Sequence, residues 1–125
     1  MAGAKRYQDL ICWQLSAELR QAVFAFTAAG PAFLDFRFRD QIRESTRSAT
    51  NNIAEGFGRF TPREFRRFLS IARGSLTETH NQLQIGHECG YLADDEYERL
   101  SLLAARAATA TTRLMRYLDS GHRGA

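Results

Sequence analysis

The stretch Asn52-Ile53-Ala54-Glu55-Gly56-Phe57-Gly58-Arg59-Phe60-Thr61-Pro62-Arg63-Glu64 ends one helix, turns the chain and begins the next helix. Gly56 and Gly58 are suited to a left-handed helix C-terminus, where the side chain of another residue would clash. Thr61 and Glu64 predict a capping box, in which each side chain accepts a hydrogen bond from the other residue's backbone N–H. Pro62 fits the first helical position. Residues 52–64 are termed the corner.

Apolar residues recur at helical spacing in four segments of the chain. The predicted helices cover residues from about 10 to 28, about 38 to 57, 62 to about 90, and 93 or 94 to about 121. Asp9 is expected to cap the first helix, and Gly30-Pro31 to follow its end. Gly74 predicts a close helix contact, since an interior glycine costs up to about 1 kcal/mol relative to alanine. Four such helices with short connections predict an all-α, up-down-up-down four-helix bundle.

The second helix has the weakest local signal, because residues 45–52 are mostly Ser, Thr and Asn, which are poor helix formers. Helical spacing nonetheless continues from Ile42 through Thr46 and Ala49 to Ile53. Small side chains there would let a neighbouring backbone approach closely. Their hydroxyl groups would need partners, since a buried unpaired hydroxyl costs about 1–3 kcal/mol.

The length of 125 residues is enough for one domain, which we expect to span residues 1–125 with an ordered core at about 9–119. No run approaches the roughly 20 apolar residues of a membrane-spanning helix, and the first six residues lack the apolar segment of a signal peptide. Cys12 and Cys89 stand in no metal-binding or redox spacing, which favours free, buried thiols. We therefore expect a cytoplasmic protein that contacts no membrane and needs no metal or cofactor.

Positive charge is concentrated in the middle of the chain. The formal net charge is +3, yet residues 37–73 hold nine arginines against four carboxylates, and Lys5 is the only lysine. Planar guanidinium groups bind phosphates and carboxylates equally well. The bias therefore favours either a polyanionic partner or an ion-paired protein interface.

Seven of these arginines are candidates for binding nucleic acid, because three recur every fourth residue on the second helix and four surround the following turn. They are Arg39, Arg43, Arg47, Arg59, Arg63, Arg66 and Arg67. If the second and third helices are antiparallel neighbours, these side chains would form one basic surface that follows a phosphate backbone without reading bases. The alternative is a protein-interaction module without nucleic-acid binding, whose arginines pair with Asp40, Glu44 and Glu64 at subunit contacts.

No arrangement of residues indicates catalysis or metal binding. His80 and His87 are seven residues apart and lack the i, i+4 pairing of a helical zinc site. Glu55 has no histidine or second acid at a spacing typical of general acid–base catalysis, so we expect it to bond Arg59 or backbone N–H groups. Structural roles are predicted for six residues of the corner: Asn52, Glu55, Gly56, Gly58, Thr61 and Glu64.

Aromatic residues outside the helical stripes are too numerous for the interior of one small bundle. They are Trp13, Phe24, Phe33, Phe36, Phe38, Phe60 and Phe68. A large exposed apolar patch usually marks an interface, so we expect the protein to self-associate. Stacking of bases on one or two of these rings is the weaker alternative.

Short motifs between about residue 9 and residue 118 resemble the four-helix bundle proteins of the 23S rRNA intervening-sequence type. The motifs are Asp9-Leu10-Ile11-Cys12-Trp13-Gln14, Gln41-Ile42-Arg43, Asn52-Ile53-Ala54-Glu55-Gly56-Phe57-Gly58-Arg59, Glu64-Phe65-Arg66-Arg67-Phe68-Leu69, Gly74-Ser75-Leu76-Thr77-Glu78 and Gly90-Tyr91-Leu92. The Asn-Ile-Ala-Glu-Gly segment is the most specific of them. The family is named for the location of its genes, which does not indicate a biochemical function.

The resemblance implies a cytoplasmic homopentamer with no known catalytic residues and a suspected nucleic-acid role. Related bundles include the accessory variability determinant of diversity-generating retroelements, so the resemblance also implies RNA or DNA and a nucleic-acid-processing protein as partners. This chain has Ser48-Ala49-Thr50-Asn51 where the family pattern has Ser-Ile-Pro-Ser. The proline that would kink the second helix is therefore missing.

Overall fold

The computed structural model describes residues 3–121, and they form an all-helical bundle, as predicted. A single 3-10 turn, Tyr7–Asp9, precedes five α-helices in this part of the chain. The helices are α1 (Ile11–Phe26), α2 (Gly30–Leu34), α3 (Phe36–Phe57), α4 (Pro62–Glu88) and α5 (Asp94–Asp119). None of the helices within residues 3–121 combines the length and the apolar character needed to cross a membrane.

The four long helices are arranged in a ring, in which α3 packs between α1 and α4, and α5 packs between α4 and α1. Two core clusters fill the interior. One joins Val23 near the end of α1 to Phe38 near the start of α3 and Leu83 near the end of α4. The other joins Cys12 at the start of α1 to Ile53 near the end of α3, together with the start of α4 and the end of α5. Successive long helices therefore run in opposite directions.

The start of α1 differs from the prediction, because Asp9 does not cap this helix. Its carboxylate accepts hydrogen bonds from the backbone N–H groups of Lys5 (3.0 Å) and Arg6 (3.1 Å), which precede it. These two bonds close the 3-10 turn and hold the pKa of Asp9 below its usual range. Leu10, which is fully buried, occupies the N-cap position of α1 without a side-chain bond. Burial of Leu10, rather than capping, fixes where α1 begins.

The connection between the first two long helices contains α2, where the sequence predicted an irregular loop. Asp35 follows α2 and caps α3, accepting a hydrogen bond from the backbone N–H of Phe38 at 3.2 Å. The hydroxyl of Tyr91, which follows α4, donates to the same carboxylate at 2.7 Å. The cap explains why α3 begins two residues before its predicted start at Phe38.

The Ser/Thr-rich part of α3 is helical and continuous, and its hydroxyl groups have partners. The Ser45 and Thr79 hydroxyls lie 2.7 Å apart between α3 and α4, and the Ser48 and Ser75 hydroxyls are also 2.7 Å apart. Thr46 donates to the carbonyl of Arg43 at 2.8 Å. Tertiary packing of small side chains thus outweighs the low helix propensity of this segment.

The predicted left-handed end of α3 is wrong. Gly58 has a φ of −79°, and Gly56 is a buried residue inside the helix. A Cβ on Gly56 would lie 2.8 Å from the Cβ of Phe68 and 3.2 Å from the carbonyl oxygen of Phe65. Gly56 is therefore needed for close approach of α4 to α3, and not for a positive φ.

The capping box at the start of α4 is only half formed. Thr61 Oγ1 accepts a hydrogen bond from the backbone N–H of Glu64 at 3.1 Å, as predicted. The Glu64 carboxylate does not return to the backbone of Thr61, since it accepts from the Thr61 hydroxyl at 3.4 Å. One end of the motif is thus sufficient to begin the helix, with Pro62 in its first turn.

Two further expectations are wrong. Gly74 makes no close helix contact, because its side faces open space and nothing would lie within 4 Å of an added Cβ. Gly86 makes that kind of contact instead, with its Cβ position 2.8 Å from the ring of Phe38.

Of the two cysteines, Cys12 is buried, and burial raises the pKa of its thiol to about 12. Cys89 is exposed, because it follows the last residue of α4.

Candidate nucleic-acid interface

The seven arginines predicted to bind nucleic acid lie in three separate places. Arg39, Arg43 and Arg47 lie on the side of α3 that faces α1 and α2, because their contacts are to Phe24, Thr27 and Phe33. Arg59, Arg63 and Arg67 lie around the corner. Arg66 lies at the edge between α4 and α5.

The row of arginines on α3 points away from α4, so the seven do not form one continuous surface. The Arg66 guanidinium bonds the Asp119 carboxylate of α5 at 2.6 Å. The edge between α4 and α5 is opposite the edge between α1 and α3 in the ring of helices. The spacing of four residues correctly predicted that Arg39, Arg43 and Arg47 share one side of α3. The buried residues of α3 decide which neighbouring helix that side faces.

Arg47 lines a groove between α1 and α3, which we term the α1–α3 groove, and Arg43 contacts Phe24, which also lines it. Arg43 Nε donates to Thr27 Oγ1 at 2.8 Å, and its guanidinium carbon lies 4.6 Å from the centre of the Phe24 ring. The guanidinium carbon of Arg47 lies 5.2 Å from the same ring. Cation–π attraction therefore holds two positive charges beside one aromatic side chain.

Arg20 on α1 lines the same groove, and it is not among the arginines predicted to bind nucleic acid. Its Nη1 donates to Thr50 Oγ1 of α3 at 2.8 Å. Arg20 lies outside the arginine-rich region 37–73, so charge density along the sequence could not indicate it. Its position on α1, one turn before Phe24, was the available signal.

Arg39 is largely enclosed, with 20% of its side chain exposed. Its Nε bonds the Asp40 carboxylate at 2.9 Å, and its guanidinium carbon lies within 5 Å of the Phe33 and Phe36 rings. The charge of Arg39 is thus balanced by Asp40 next to it. Its contacts hold α2 against the start of α3.

The corner holds a second group of arginines. The guanidinium carbons of Arg59 and Arg67 lie 4.7 Å and 4.8 Å from the centre of the Phe68 ring. Arg63 is exposed in the first turn of α4. Phe60, which is 87% exposed, lies between Arg59 and Arg63 in the sequence.

The polar residues of the corner hold the turn together. The Glu55 carboxylate accepts from Arg59 at 2.8 Å, as predicted. The Asn52 side chain donates to the Ser48 carbonyl at 2.8 Å within α3. Arg63 and Arg67 are exposed beside this turn and form no ion pair with a carboxylate of the described residues.

His87 is engaged by neighbouring side chains rather than by a set of metal ligands. His87 Nε2 lies 2.6 Å from an Asp94 carboxylate oxygen, and its ring stacks on Tyr97 with 4.4 Å between the ring centres. No group of three or more histidine, cysteine, aspartate or glutamate side chains in residues 3–121 is placed to hold a metal ion.

The model of the 23S rRNA-intervening sequence protein family matches residues 8–112. The chain belongs to this family. The matched residues include α1 to α4 and most of α5, so they contain both arginine groups and the corner. No curated protein matches the chain. Membership of the 23S rRNA-intervening sequence protein family thus fits the helical bundle, and the arginines supply the chemistry from which a function is proposed.

The aromatic residues are divided between the core and the surface in this family member. Phe38 is buried, and Phe33, Phe36 and Phe60 are exposed. A further apolar patch lies between α1 and α5, where Ile11 is 65% exposed and Leu102 is 63% exposed. These two residues and Leu15 line a groove of about 410 Å³. Helical spacing did not indicate this patch, because Ile11 and Leu102 lie beside the apolar stripes of their helices and not within them.

Proposed function

We propose that the protein is a non-enzymatic, self-associating module of the cytoplasm that binds the backbone of RNA or DNA through its arginines. One observation carries the proposal. Arg43, Arg47, Arg63 and Arg67 form no ion pair with any carboxylate in the described part of the chain. Guanidinium groups keep their charge at physiological pH and bind phosphates through paired N–H donors. Four uncompensated groups therefore favour a polyanionic partner.

The contacts of these arginines favour binding without base specificity. Arg43 and Arg47 lie beside the Phe24 ring and Arg67 lies beside the Phe68 ring, so these guanidinium groups lie along the helix surface, which suits contact with a phosphate backbone. Phosphate contacts release counterions, so the affinity should fall steeply with salt, with a log–log slope near −0.9 for each phosphate contacted on duplex DNA.

The test replaces Arg63 and Arg67 together by glutamate, since both are exposed at the corner. Binding to fluorescently labelled RNA and DNA is measured by anisotropy over a range of salt concentrations. The double variant should bind at least tenfold more weakly and show a less steep salt dependence, because it has lost phosphate contacts. The matched control replaces Arg99 and Arg106 of α5, which changes the net charge equally. Absence of salt-sensitive binding of the unmodified protein to either RNA or DNA would falsify the proposal.

A second candidate is a protein-interaction module that binds no nucleic acid. The exposed Ile11 and Leu102 between α1 and α5 favour it, because clustered apolar side chains usually mark an interface. In this case the arginines would pair with carboxylates of neighbouring subunits. The Arg63/Arg67 variant distinguishes the two candidates, since it should then dissociate the oligomer. An intact oligomer that has lost nucleic-acid binding supports the first candidate.

A further inference from the structure

Arg20 of α1 and Arg47 of α3 line the α1–α3 groove, and Arg43 lies against the Phe24 ring that forms part of its wall. The guanidinium carbons of Arg43 and Arg47 lie 4.6 Å and 5.2 Å from the centre of the Phe24 ring, so the two positive charges are close to each other. Within residues 3–121, none of the three forms an ion pair with a carboxylate. Three like charges are thus held together without a counter-charge from the protein.

Two of the three side chains are held in place by the fold. Arg20 bonds Thr50 at 2.8 Å, and Arg43 bonds Thr27 at 2.8 Å as well as the carbonyl of Phe24 at 3.4 Å. These contacts use some of the N–H donors and leave the others unbonded. A ligand would therefore meet positioned donors and would need to immobilise chiefly Arg47, which limits the entropy lost on binding.

The groove has the size of a small-molecule site. Its volume is about 560 Å³, and the amide side chains of Gln21 and Asn51 line it together with Arg20, Phe24 and Arg47. Ligand sites in proteins usually measure roughly 300–1,000 Å³ and combine apolar walls with a few polar groups. The amides supply hydrogen-bond donors and acceptors without adding charge.

We propose that the α1–α3 groove binds a phosphate monoester. A monoester carries about −1.5 to −2 charge at pH 7 and three acceptor oxygens, which matches the two guanidinium groups lining the groove and the third beside its aromatic wall better than an internal phosphodiester with a single charge. Two sources supply this chemistry: a free nucleotide, or the phosphorylated 5′ end of a strand. The site goes beyond backbone binding, because a free nucleotide would occupy it even if the protein bound no nucleic acid.

The first experiment measures binding of AMP and adenosine to the full chain by isothermal titration calorimetry. AMP should bind at least tenfold more tightly, because only AMP carries the monoester. Arg20→Gln and Arg47→Gln should each weaken AMP binding about tenfold or more, as expected for loss of a charged hydrogen bond. Arg106→Gln on α5 is the matched control. Equal affinities for AMP and adenosine, or unchanged AMP binding by both groove variants, would overturn the proposal.

The second experiment identifies the source of the phosphate. One single-stranded oligonucleotide is compared with and without a 5′-phosphate, using the unmodified protein and the Arg20→Gln variant. A preference for the phosphorylated strand that is lost in the variant assigns the site to strand ends. Tight AMP binding without such a preference assigns it to free nucleotides. Failure of AMP binding while salt-dependent oligonucleotide binding persists removes this proposal and leaves backbone binding intact.

Discussion

At the scale of single residues, the space around a glycine decides what its replacement does. A Cβ at Gly56 would lie 2.8 Å from the Phe68 Cβ, and neither backbone can move away without separating α3 from α4. We expect Gly56→Ala to destabilise the protein by about 1–3 kcal/mol, as overpacking of a core does. Gly74→Ala is the matched control, since nothing lies within 4 Å of its Cβ position.

That control should stabilise the protein by up to about 1 kcal/mol, because alanine has the higher helix propensity. Urea denaturation of both variants measures the two changes. Equal effects of the two substitutions would show that the contact of α4 with Gly56 is not restrictive.

The bond between Tyr91 and Asp35 makes one contribution to stability depend on pH. The hydrogen bond from Tyr91 is the main reason that the pKa of Asp35 lies below its usual range, and the backbone N–H of Phe38 adds to it. A lowered carboxyl pKa in the folded state contributes stability above the usual pKa of aspartate. That contribution is lost as the pH falls through the lowered value.

We therefore expect Tyr91→Phe to lower the melting temperature at neutral pH, with the difference from the unmodified protein narrowing in acid. The same bond raises the pKa of Tyr91 to about 12, so its contribution also disappears as the pH rises from about 10 to about 12. Melting curves from acid to alkaline pH check both limits. A difference that stays constant over the whole range would contradict this account.

The residue-scale predictions that proved correct have partners within a few positions. Thr61 bonding Glu64 and Glu55 bonding Arg59 are of this kind. Asp9 shows that a local prediction also fails when burial of the next residue sets the helix start. The sequence could not indicate that Tyr91 bonds Asp35, which is 56 positions away, or that Gly56 faces Phe68. Those contacts depend on how the helices pack.

At the scale of the helices, hydroxyl groups link α3 to α4. The Ser45 and Thr79 hydroxyls lie 2.7 Å apart in the core, so one of them donates to the other. The accepting hydroxyl donates its own proton to a backbone carbonyl of its helix, that of Ile42 for Ser45 or that of Ser75 for Thr79. We expect Ser45→Ala and Thr79→Val each to cost about 0.5–1.5 kcal/mol, since each removes one hydrogen bond.

The double variant should cost less than the sum of the two, because both single variants remove the same bond. Chemical denaturation of the three variants gives the coupling energy. Strict additivity would indicate that the Ser45–Thr79 bond contributes nothing beyond the bonds to the backbone.

The four long helices were predictable, because apolar spacing continues even through the Ser/Thr-rich part of α3. The direction of the arginine row on α3 was not. Ile42, Ala49 and Ile53 are fully buried, and they rotate α3 so that Arg43 and Arg47 face α1 instead of α4. A row of charges four residues apart identifies one side of a helix but not the neighbour that it faces.

At the scale of the whole molecule, the α1–α3 groove and the apolar patch of Ile11 and Leu102 occupy different edges of the ring of helices, although Arg106 and Arg113 also line the patch. The groove arginines lie between α1 and α3, whereas Ile11 and Leu102 lie between α1 and α5. A self-associated protein could therefore bury its apolar edge and keep the α1–α3 groove open. The proposed self-association and the proposed anion binding are therefore compatible in one chain.

The apolar edge gives the last prediction. Ile11→Asp combined with Leu102→Asp should dissociate the proposed oligomer, because burying two charged side chains at the contact carries a desolvation penalty. Sedimentation equilibrium measures the mass before and after the change, and circular dichroism checks that the helices persist. Leu34→Asp on α2 is the matched control, since Leu34 is equally exposed but lies away from this edge. An oligomer that survives the double change but dissociates on Leu34→Asp would place the contact at α2. If the double variant is monomeric and still binds AMP, the groove is complete within one subunit.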